Sequence, residues 1–309
     1  MSSPTEATAG TAEASASAVR VFAATAWREH GLAALLLAPA LLCVLLFFVY
    51  PLGHAVVGAF AIPAAGDAPP GWGLGHFARA FDLYGTDIVF TGVLVSSSVL
   101  LTGVLAVVIA GYLTLGETPW AVATLRWLYR WPLFIPFIVA AQMMRSFLAK
   151  NGLMNNTLVG LGVLEPIQTI GFLDWRGVVA TFVWKQLPFV TLLVAGAMAA
   201  LDRSTVEAAR NLGAGRLRIL LEIVLPQVKR TLAVALVLSF VTMMSVLSVP
   251  VMINAGSPTL ITVDMAYRIN AHGDYGVANA LGIISYLMTG LVAWIYLKHG
   301  IRQHGGDPR

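Results

Sequence analysis

The sequence has little charge and almost no cysteine. Only 11% of its 309 residues are charged, while 58% are hydrophobic; soluble domains usually carry about 25% charged residues. The single cysteine, Cys43, excludes a disulfide within the chain and a cysteine-based metal cluster. The apolar runs do not alternate with polar residues as the strands of a membrane barrel do. The composition therefore predicts an all-α, polytopic membrane protein.

Motifs for several kinds of chemistry are also absent. The chain has no G-x-x-x-x-G-K-[ST] phosphate-binding loop, so we predict that it is not an ATPase and holds no cofactor of its own. The predicted spans contain no interior Asp or Glu, which argues against an ion-coupled secondary transporter. No convergent His/Asp/Glu or Ser/His set indicates a membrane enzyme. The lone histidines His54, His76 and His272 lack metal-ligand spacing, so no metal site is predicted.

Six apolar runs are long enough to cross a bilayer, which takes about 20 helical residues. The predicted spans are about 31–50, 88–115, 127–148, 177–201, 232–253 and 277–297. Because the first run is longer than the apolar core of a cleaved signal peptide, we predict that it is retained. Residues 1–26, rich in Ala, Ser and Thr, are predicted to be a disordered tail before a membrane domain at 27–300, and 301–309 a second tail.

The distribution of basic residues predicts the orientation. With the N-terminus inside, all but six of the 19 Lys and Arg residues fall on the cytoplasmic side. The six others are Arg79, Arg145, Lys150, Arg176, Lys185 and Arg268. We therefore predict a multi-pass protein of the bacterial inner membrane with both termini in the cytoplasm.

The most polar stretch, 202–231, lies between the fourth and fifth predicted spans and contains EAARNLGAGRLRILLEIVLP. We predict a helix from about Val206 to Leu212, capped by Asp202, Ser204 or Thr205, with Glu207 in its first turn. Gly213 and Gly215 are predicted to end this helix. A second amphipathic helix is predicted over Arg216–Val224, with Pro226 breaking or bending the chain at the mouth of the next span. The residues alone fit equally well a basic loop at the lipid headgroups.

This stretch resembles the permease subunits of ABC importers, whose signature is E-A-A, three residues, G, nine residues, I-x-L-P. The matching residues are Glu207, Ala208, Ala209, Gly213, Ile223, Leu225 and Pro226. The resemblance extends from about residue 31 to residue 300. It implies the type I fold, with six transmembrane helices and a cytoplasmic coupling helix between the fourth and fifth.

The resemblance also implies partners. Glu207 would face a cytoplasmic ATPase subunit, Gly213 would permit the turn, and Ala208 and Ala209 would keep the helix slim. ATP and magnesium would be bound by that ATPase. We expect a second permease subunit over two ATPase subunits, in a heterodimer, with a homodimer as the alternative. A substrate-binding protein outside the membrane is expected near the outer loop, at Pro258, Thr262, Tyr267, Asp274 and Tyr275.

Polar residues within spans are candidates for a solute path. Lys185 and Gln186 lie inside the fourth span, just before Pro188. Met244, Ser245 and Ser248 form a second candidate patch in the fifth span. The alternatives are that Lys185 snorkels or pairs within the bundle and that the serines serve helix packing.

The identity of the solute is predicted only as a class, because two resemblances disagree. The segments AYRINAHGDYGVANALG (266–282) and W-K-x-x-P-F resemble sugar-importer permeases. The segment ARNLGAGR (209–216) resembles instead permeases for polyamines, iron complexes or oxyanions. We predict a carbohydrate or polyol, with the second class as the alternative.

Overall fold

The computed structural model describes residues 35–63, 70–254 and 256–301. The predicted tails, 1–26 and most of 301–309, lie outside the described residues. The chain divides into two units at Gly58. In the first unit, the described residues form most of one apolar helix, α1 (Leu35–Phe60), which includes a π-helical turn at Leu45–Val49.

The second unit is built from helices apart from one two-residue hairpin, in which Ala61–Ile62 (β1) pairs antiparallel with Gly71–Trp72 (β2). Its α-helices are α2 (Gly75–Leu115), α3 (Pro119–Leu128), α4 (Phe137–Leu148), α5 (Leu153–Gly160), α6 (Trp175–Ala199), α7 (Arg203–Asn211), α8 (Arg216–Ser245), α9 (Ser248–Ile253), α10 (Ile261–His272) and α11 (Tyr275–Ile301). Short 3-10 turns lie at Trp131–Phe134 and Pro166–Gln168. The prediction of an all-α membrane fold is confirmed.

Five helices are long and apolar enough to span a membrane: α1, α2, α6, α8 and α11. A bent pair of helical segments would make a sixth span within the described residues. The observed helices extend beyond several predicted runs. In particular, α2 begins at Gly75 rather than at residue 88, because Arg79, Asp82 and Asp87 lower the hydropathy of its first turns without ending the helix.

The third predicted span, 127–148, is not one continuous helix. The segments Pro119–Phe134 and Phe137–Gly160 meet at an angle of 110°. Two prolines explain the break: Pro132 lies in the 3-10 turn and Pro136 caps α4 with extended backbone. A proline donates no backbone hydrogen bond and disfavours helical geometry in the preceding residue, so an apolar run can end one helix and start another.

Three buried hydroxyl side chains of α2 donate hydrogen bonds within their own helix. The hydroxyls of Thr91, Ser98 and Thr102 each donate to the carbonyl oxygen four residues earlier, at 2.7 Å. All three side chains are buried, and their spacings of seven and four residues place them along one helix face. These residues thus serve helix packing, as small polar residues do in membrane bundles.

The core of the second unit has three apolar clusters. The first joins α2, α6, α7 and α8 at the end of the bundle that carries the E-A-A segment. The second joins α2, α4, α6, α8 and α9 in the middle, and the third joins Ala59, α2, α10 and α11 at the other end. The first and third clusters thus position the two polar regions described next.

Candidate functional site

The E-A-A segment forms a separate short helix, α7. Asp202 caps it by accepting a hydrogen bond from the backbone N–H of Ser204 at 2.9 Å. The Ser204 hydroxyl also donates to Asp202, and this bonding lowers the pKa of the Asp202 carboxyl from its ordinary value. The prediction of a capped helix between the fourth and fifth spans is confirmed, with Asp202 as the cap.

Gly213 ends α7 in the left-handed conformation, with φ of +79°. The N–H of Gly213 donates to Arg210 O at 2.9 Å and the N–H of Ala214 donates to Ala209 O at 3.0 Å. This is the Schellman pattern, which favours glycine because a Cβ is disfavoured at positive φ. The turn predicted at Gly213 is therefore present, and it returns the chain toward α8.

The side chains of α7 divide among three directions. Ala209 is buried, with 8% of its surface exposed, and packs into the first apolar cluster. Thr205, Ala208 and Leu212 are exposed, and Leu212 is 88% exposed. Ala208 and Leu212, rather than Ala209, therefore belong to the face that a partner could contact.

Glu207 does not lie in the first turn as predicted, because α7 begins at Arg203 rather than near Val206. Its side chain lines a cavity of about 510 Å³ together with Arg203, Val206 and Arg210 from the same helix. Because Glu207 is two residues from the buried Ala209, it lies on nearly the opposite side of the helix. Glu207 is exposed and can be reached from the cavity mouth.

Ile223, Leu225 and Pro226 connect the loop to the next span. The predicted second helix is not separate from the fifth span, because α8 runs without interruption from Arg216 to Ser245. A π-helical turn at Ile219–Val224 directly precedes Pro226. The wider turn accommodates the missing proline N–H, so the chain neither breaks nor leaves the helix at Pro226.

The first apolar cluster links α7 to the spans. Ala209 packs with Ile219 and Val224 of α8 and with Val194 and Met198 of α6. Ile223 and Leu225 pack against the same cluster from partly buried positions. Because packed interiors are nearly incompressible, a displacement of α7 is transmitted to α6 and α8 through these side chains.

Lys185 lies in the interior of α6 and is 7% exposed. Its Nζ is 3.5 Å from Leu133 O, in the break of the third span, and 4.9 Å from the Phe137 ring centroid. In the described residues no carboxylate forms an ion pair with Lys185. Lys185 therefore contacts the bent third span. This agrees with the alternative that Lys185 interacts within the helix bundle rather than with solute.

The other predicted path residues are not gathered around one opening. Gln186 and Met244 are buried, Ser248 is half-buried, and Ser245 is exposed but donates its hydroxyl to Thr242 O at 2.9 Å. A groove of about 940 Å³ lies beside this region. Its lining includes Gln142, Ser146 and Trp184 among apolar residues of α4 and α9. Hydropathy gave no sign of this groove, since it depends on the break that orients α4.

Replacing Lys185 with Met is expected to destabilise the protein without changing the affinity for solute. The change keeps the apolar stem and removes the charge from the break of the third span. A hydrogen bond to a charged group contributes about 1.5–3 kcal/mol to stability. Because the contact between Lys185 Nζ and Leu133 O is long, we expect the loss of unfolding free energy to be near the lower value. We expect a lower melting temperature and an unchanged KM for uptake, with Lys185→Arg as the charge-preserving control. An altered KM at an unchanged melting temperature would instead place Lys185 in the solute path.

At the other end of the bundle, α10 is anchored to α2 by a polar cluster. Asp87 accepts a hydrogen bond from the N–H of Thr259 at 2.8 Å. The Arg268 Nε donates to the Tyr84 hydroxyl at 2.6 Å, and an Arg268 Nη1 lies 3.8 Å from Asp274. These contacts join segments that are far apart in the sequence.

Asp264 is the least accessible acid of this cluster, with 4% of its surface exposed. Its Oδ2 is buried and has no hydrogen-bond partner in the described part of the chain. Burial raises the pKa of Asp264 to about 7; the charge of Asp87 contributes to the rise and Arg268 opposes it. Asp264 lies in the sequence between the fifth and sixth predicted spans, and nothing in the surrounding pattern indicates that it is buried.

The residues expected near an external binding protein differ in accessibility. Tyr267 and Tyr275 are 54% and 63% exposed, whereas Thr262 is buried. Pro258 is half-buried. The Asp274 side chain accepts from the N–H of Val277 at 3.1 Å, so it caps the start of α11. The two tyrosines are the accessible members of the set.

Similar proteins share both the sequence and the fold of this chain. It is 27% identical over 294 residues to the sulfoquinovosyl glycerol transport system permease protein SmoG of Agrobacterium fabrum, covering 89% of this chain and 92% of that protein. It is 29% identical over 291 residues to the trehalose/maltose transport system permease protein MalF of Thermococcus litoralis, covering 89% and 95%. A chain of a bacterial alginate ABC transporter superposes with a TM-score of 0.74 at 20% identity, over 91% of this chain and 98% of that one.

The family is shown by a match over most of the chain. Residues 32–299 match the binding-protein-dependent transport system inner membrane components, and this range includes all of α2 to α10. The capped helix α7 with its glycine turn carries the signature on which the resemblance rested. The chain therefore belongs to the family of binding-protein-dependent transport system inner membrane components, and it is the permease of an importer rather than a catalytic subunit.

Proposed function

We propose that this chain is one of two permease subunits of an ATP-driven importer and that α7 is its coupling helix. The observation that carries the proposal is the placement of α7: it protrudes between α6 and α8, exposes Ala208 and Leu212, and buries Ala209 in the core that holds both spans. A partner that binds the exposed face of α7 can displace both α6 and α8. The chain has no phosphate-binding loop, so ATP and magnesium belong to the partner.

The remaining partners follow from this assignment. Two cytoplasmic ATPase subunits would each engage one coupling helix, and the second permease subunit would supply the other helix. A heterodimer is favoured over a homodimer by the resemblance alone. Both termini then lie in the cytoplasm, in agreement with the excess of Lys and Arg on that side. Tyr267 and Tyr275 face the external binding protein.

The solute of this importer is a carbohydrate or a polyol derivative. Support comes from the relatives, whose names specify sulfoquinovosyl glycerol and trehalose or maltose. A further relative, the permease protein UgpA of Escherichia coli, is 28% identical over 270 residues and is named for sn-glycerol-3-phosphate. The groove with Gln142, Ser146 and Trp184 offers hydrogen-bonding groups and an aromatic face, which suit a sugar.

The experiment is to purify the complex through this chain and to identify the solute on the copurifying binding protein by mass spectrometry. We expect a sugar or polyol derivative, and we expect the purified solute to stimulate ATP hydrolysis in reconstituted complex. A polyamine, an iron complex or an oxyanion on the binding protein would establish the alternative solute class. Copurification of neither an ATPase nor a binding protein would contradict the proposed machinery itself.

A further inference from the structure

The cavity beside Glu207 is strongly basic. It has a volume of about 510 Å³ and lies where the ends of α2 and α6 meet α3 and α7. Arg126 and Arg130 contribute to it from α3 and the residues that follow, and Arg203 and Arg210 contribute from α7. Glu207 is the only acidic residue in its lining. Four guanidinium groups and one carboxylate therefore line this cavity.

The guanidinium groups are poorly neutralised by the protein. Arg210 donates to Leu115 O at 3.3 Å, and Arg130 donates to the hydroxyl of its neighbour Tyr129 at 3.3 Å. Over the described residues none of the four forms an ion pair; the nearby Arg216 and Arg218 pair instead with Glu117 and Glu222. Such a group of like charges is stabilised by an anion, and planar guanidinium groups match phosphate oxygens by paired hydrogen bonds.

Apart from Thr114 and Tyr129, the remaining wall of the cavity is apolar. Leu113, Leu192, Ala195, Gly196 and Met198 line the side formed by α2 and α6. Leu192 is 45% exposed, although it belongs to a spanning helix. A site with charges on one side and aliphatic groups on the other suits a ligand that combines an anionic group with a hydrocarbon part.

The segment that carries Arg126 and Arg130 has the features of a membrane-interface helix. Trp120, Trp127 and Trp131 are 73%, 61% and 56% exposed. Tryptophan at the ends of membrane helices is enriched at the level of the lipid headgroups, and basic pockets between helices bind anionic headgroups there. The cavity thus lies beside the depth at which phosphate groups of lipids occur.

We propose that this cavity binds the phosphate group of an anionic phospholipid, held by Arg126 and Arg130 on one side and by Arg203 and Arg210 on the other. The bound phosphate links the coupling helix to the third span, so the lipid restrains the element through which the ATPase acts. A free phosphate compound would use the same guanidinium chemistry. The apolar wall and the exposed tryptophans favour the lipid as its source.

The test uses the purified complex in nanodiscs without ATP or solute, so that it is independent of the proposed transport activity. Phosphatidylglycerol retained by the protein is counted by mass spectrometry, with discs of phosphatidylcholine as the neutral reference. In Arg126→Gln/Arg203→Gln, the loss of two charge-assisted contacts should weaken retention at least about tenfold. Gly196→Leu should do the same without a change in charge, because a side chain there meets no protein atom and enters the cavity.

Arg218→Gln is the matched control, since it removes one positive charge from the same loop but does not line the cavity. It should leave retention unchanged. Inorganic phosphate added to phosphatidylcholine discs tests the other source through thermal stabilisation. Stabilisation by phosphate without retention of phosphatidylglycerol would overturn the lipid assignment. Equal retention by wild type and both cavity variants would overturn the site.

Discussion

Replacing Ala208 with Trp is expected to lower solute-stimulated ATP hydrolysis strongly while the protein still inserts and folds. Ala208 is exposed and is not part of the first apolar cluster, so an indole there can extend into solvent. In the assembled importer, the indole would hold α7 away from the ATPase surface that binds it. Overpacking costs about 1–3 kcal/mol, which corresponds to a loss of docking of about 5- to 150-fold.

The neighbouring alanine provides the contrast. Ala209→Trp should lower the melting temperature itself, because Ala209 packs in the first apolar cluster with Ile219 and Val224. Ala208→Ser retains the small volume and should behave as wild type. The measurement is solute-stimulated ATP hydrolysis of the reconstituted complex beside its melting temperature. If Ala208→Trp retained normal solute-stimulated ATP hydrolysis, the ATPase would not bind this face of α7.

The placement of α7 was predictable because its signals are local. A capping aspartate and a glycine at the left-handed position specify where a short helix begins and ends, whatever surrounds it. Asp202 and Gly213 occupy these roles in the structure. Long apolar runs specify spanning helices in the same way, since their length alone is diagnostic.

What could not be predicted depends on how the helices pack. The apolar run at 127–148 does not reveal that Pro132 and Pro136 produce a break of 110° rather than a tolerated kink. The side of α7 that faces the core is set by its contact with α6 and α8, so the orientation of Glu207 was not given by its position in the signature. The contact of Lys185 with Leu133 likewise exists only because the break brings that carbonyl to α6.

The burial of Asp264 in the polar cluster of α10 could not be predicted for the same reason. A sequence with Asp264, Arg268 and Asp274 within one short segment is typical of a solvated loop. In the structure the segment forms α10 and packs on α2 through Thr91, whose hydroxyl accepts from the N–H of Ile261 at 3.0 Å. Only this tertiary contact places Asp264 in an apolar environment near Asp87, with the consequence for its ionisation described below.

Asp264→Asn is expected to stabilise the protein, and the gain is expected to depend on pH. Burial raises the pKa of Asp264 to about 7 from an ordinary value of 3.8. As the pH increases above about 4, the unfolded chain loses this proton first, while the folded protein retains it to about pH 7. The wild-type free energy of unfolding therefore falls across this window and stays reduced above it.

Asparagine has the shape of a protonated aspartate and carries no charge at any pH in this range. The gain should consequently be small at about pH 4, increase to about pH 7 and then level off. A difference of about three pKa units corresponds to about 4 kcal/mol as an upper value. The measurement is the melting temperature of the purified complex as a function of pH, with Asp82→Asn as the control for loss of an exposed carboxylate of α2.

The opposite effect of Asp264→Asn on the melting temperature would also identify the charge state of Asp264. If Asp264→Asn lowered the melting temperature at about pH 8, an ionised Asp264 would be making a favourable interaction there, and its pKa would be lowered rather than raised. The described contacts argue against this, because Arg268 directs its Nε to the Tyr84 hydroxyl and its Nη1 to Asp274, leaving the Asp264 Oδ2 without a donor. A carboxyl group buried in this way beside a second carboxylate is more stable with its proton than without it.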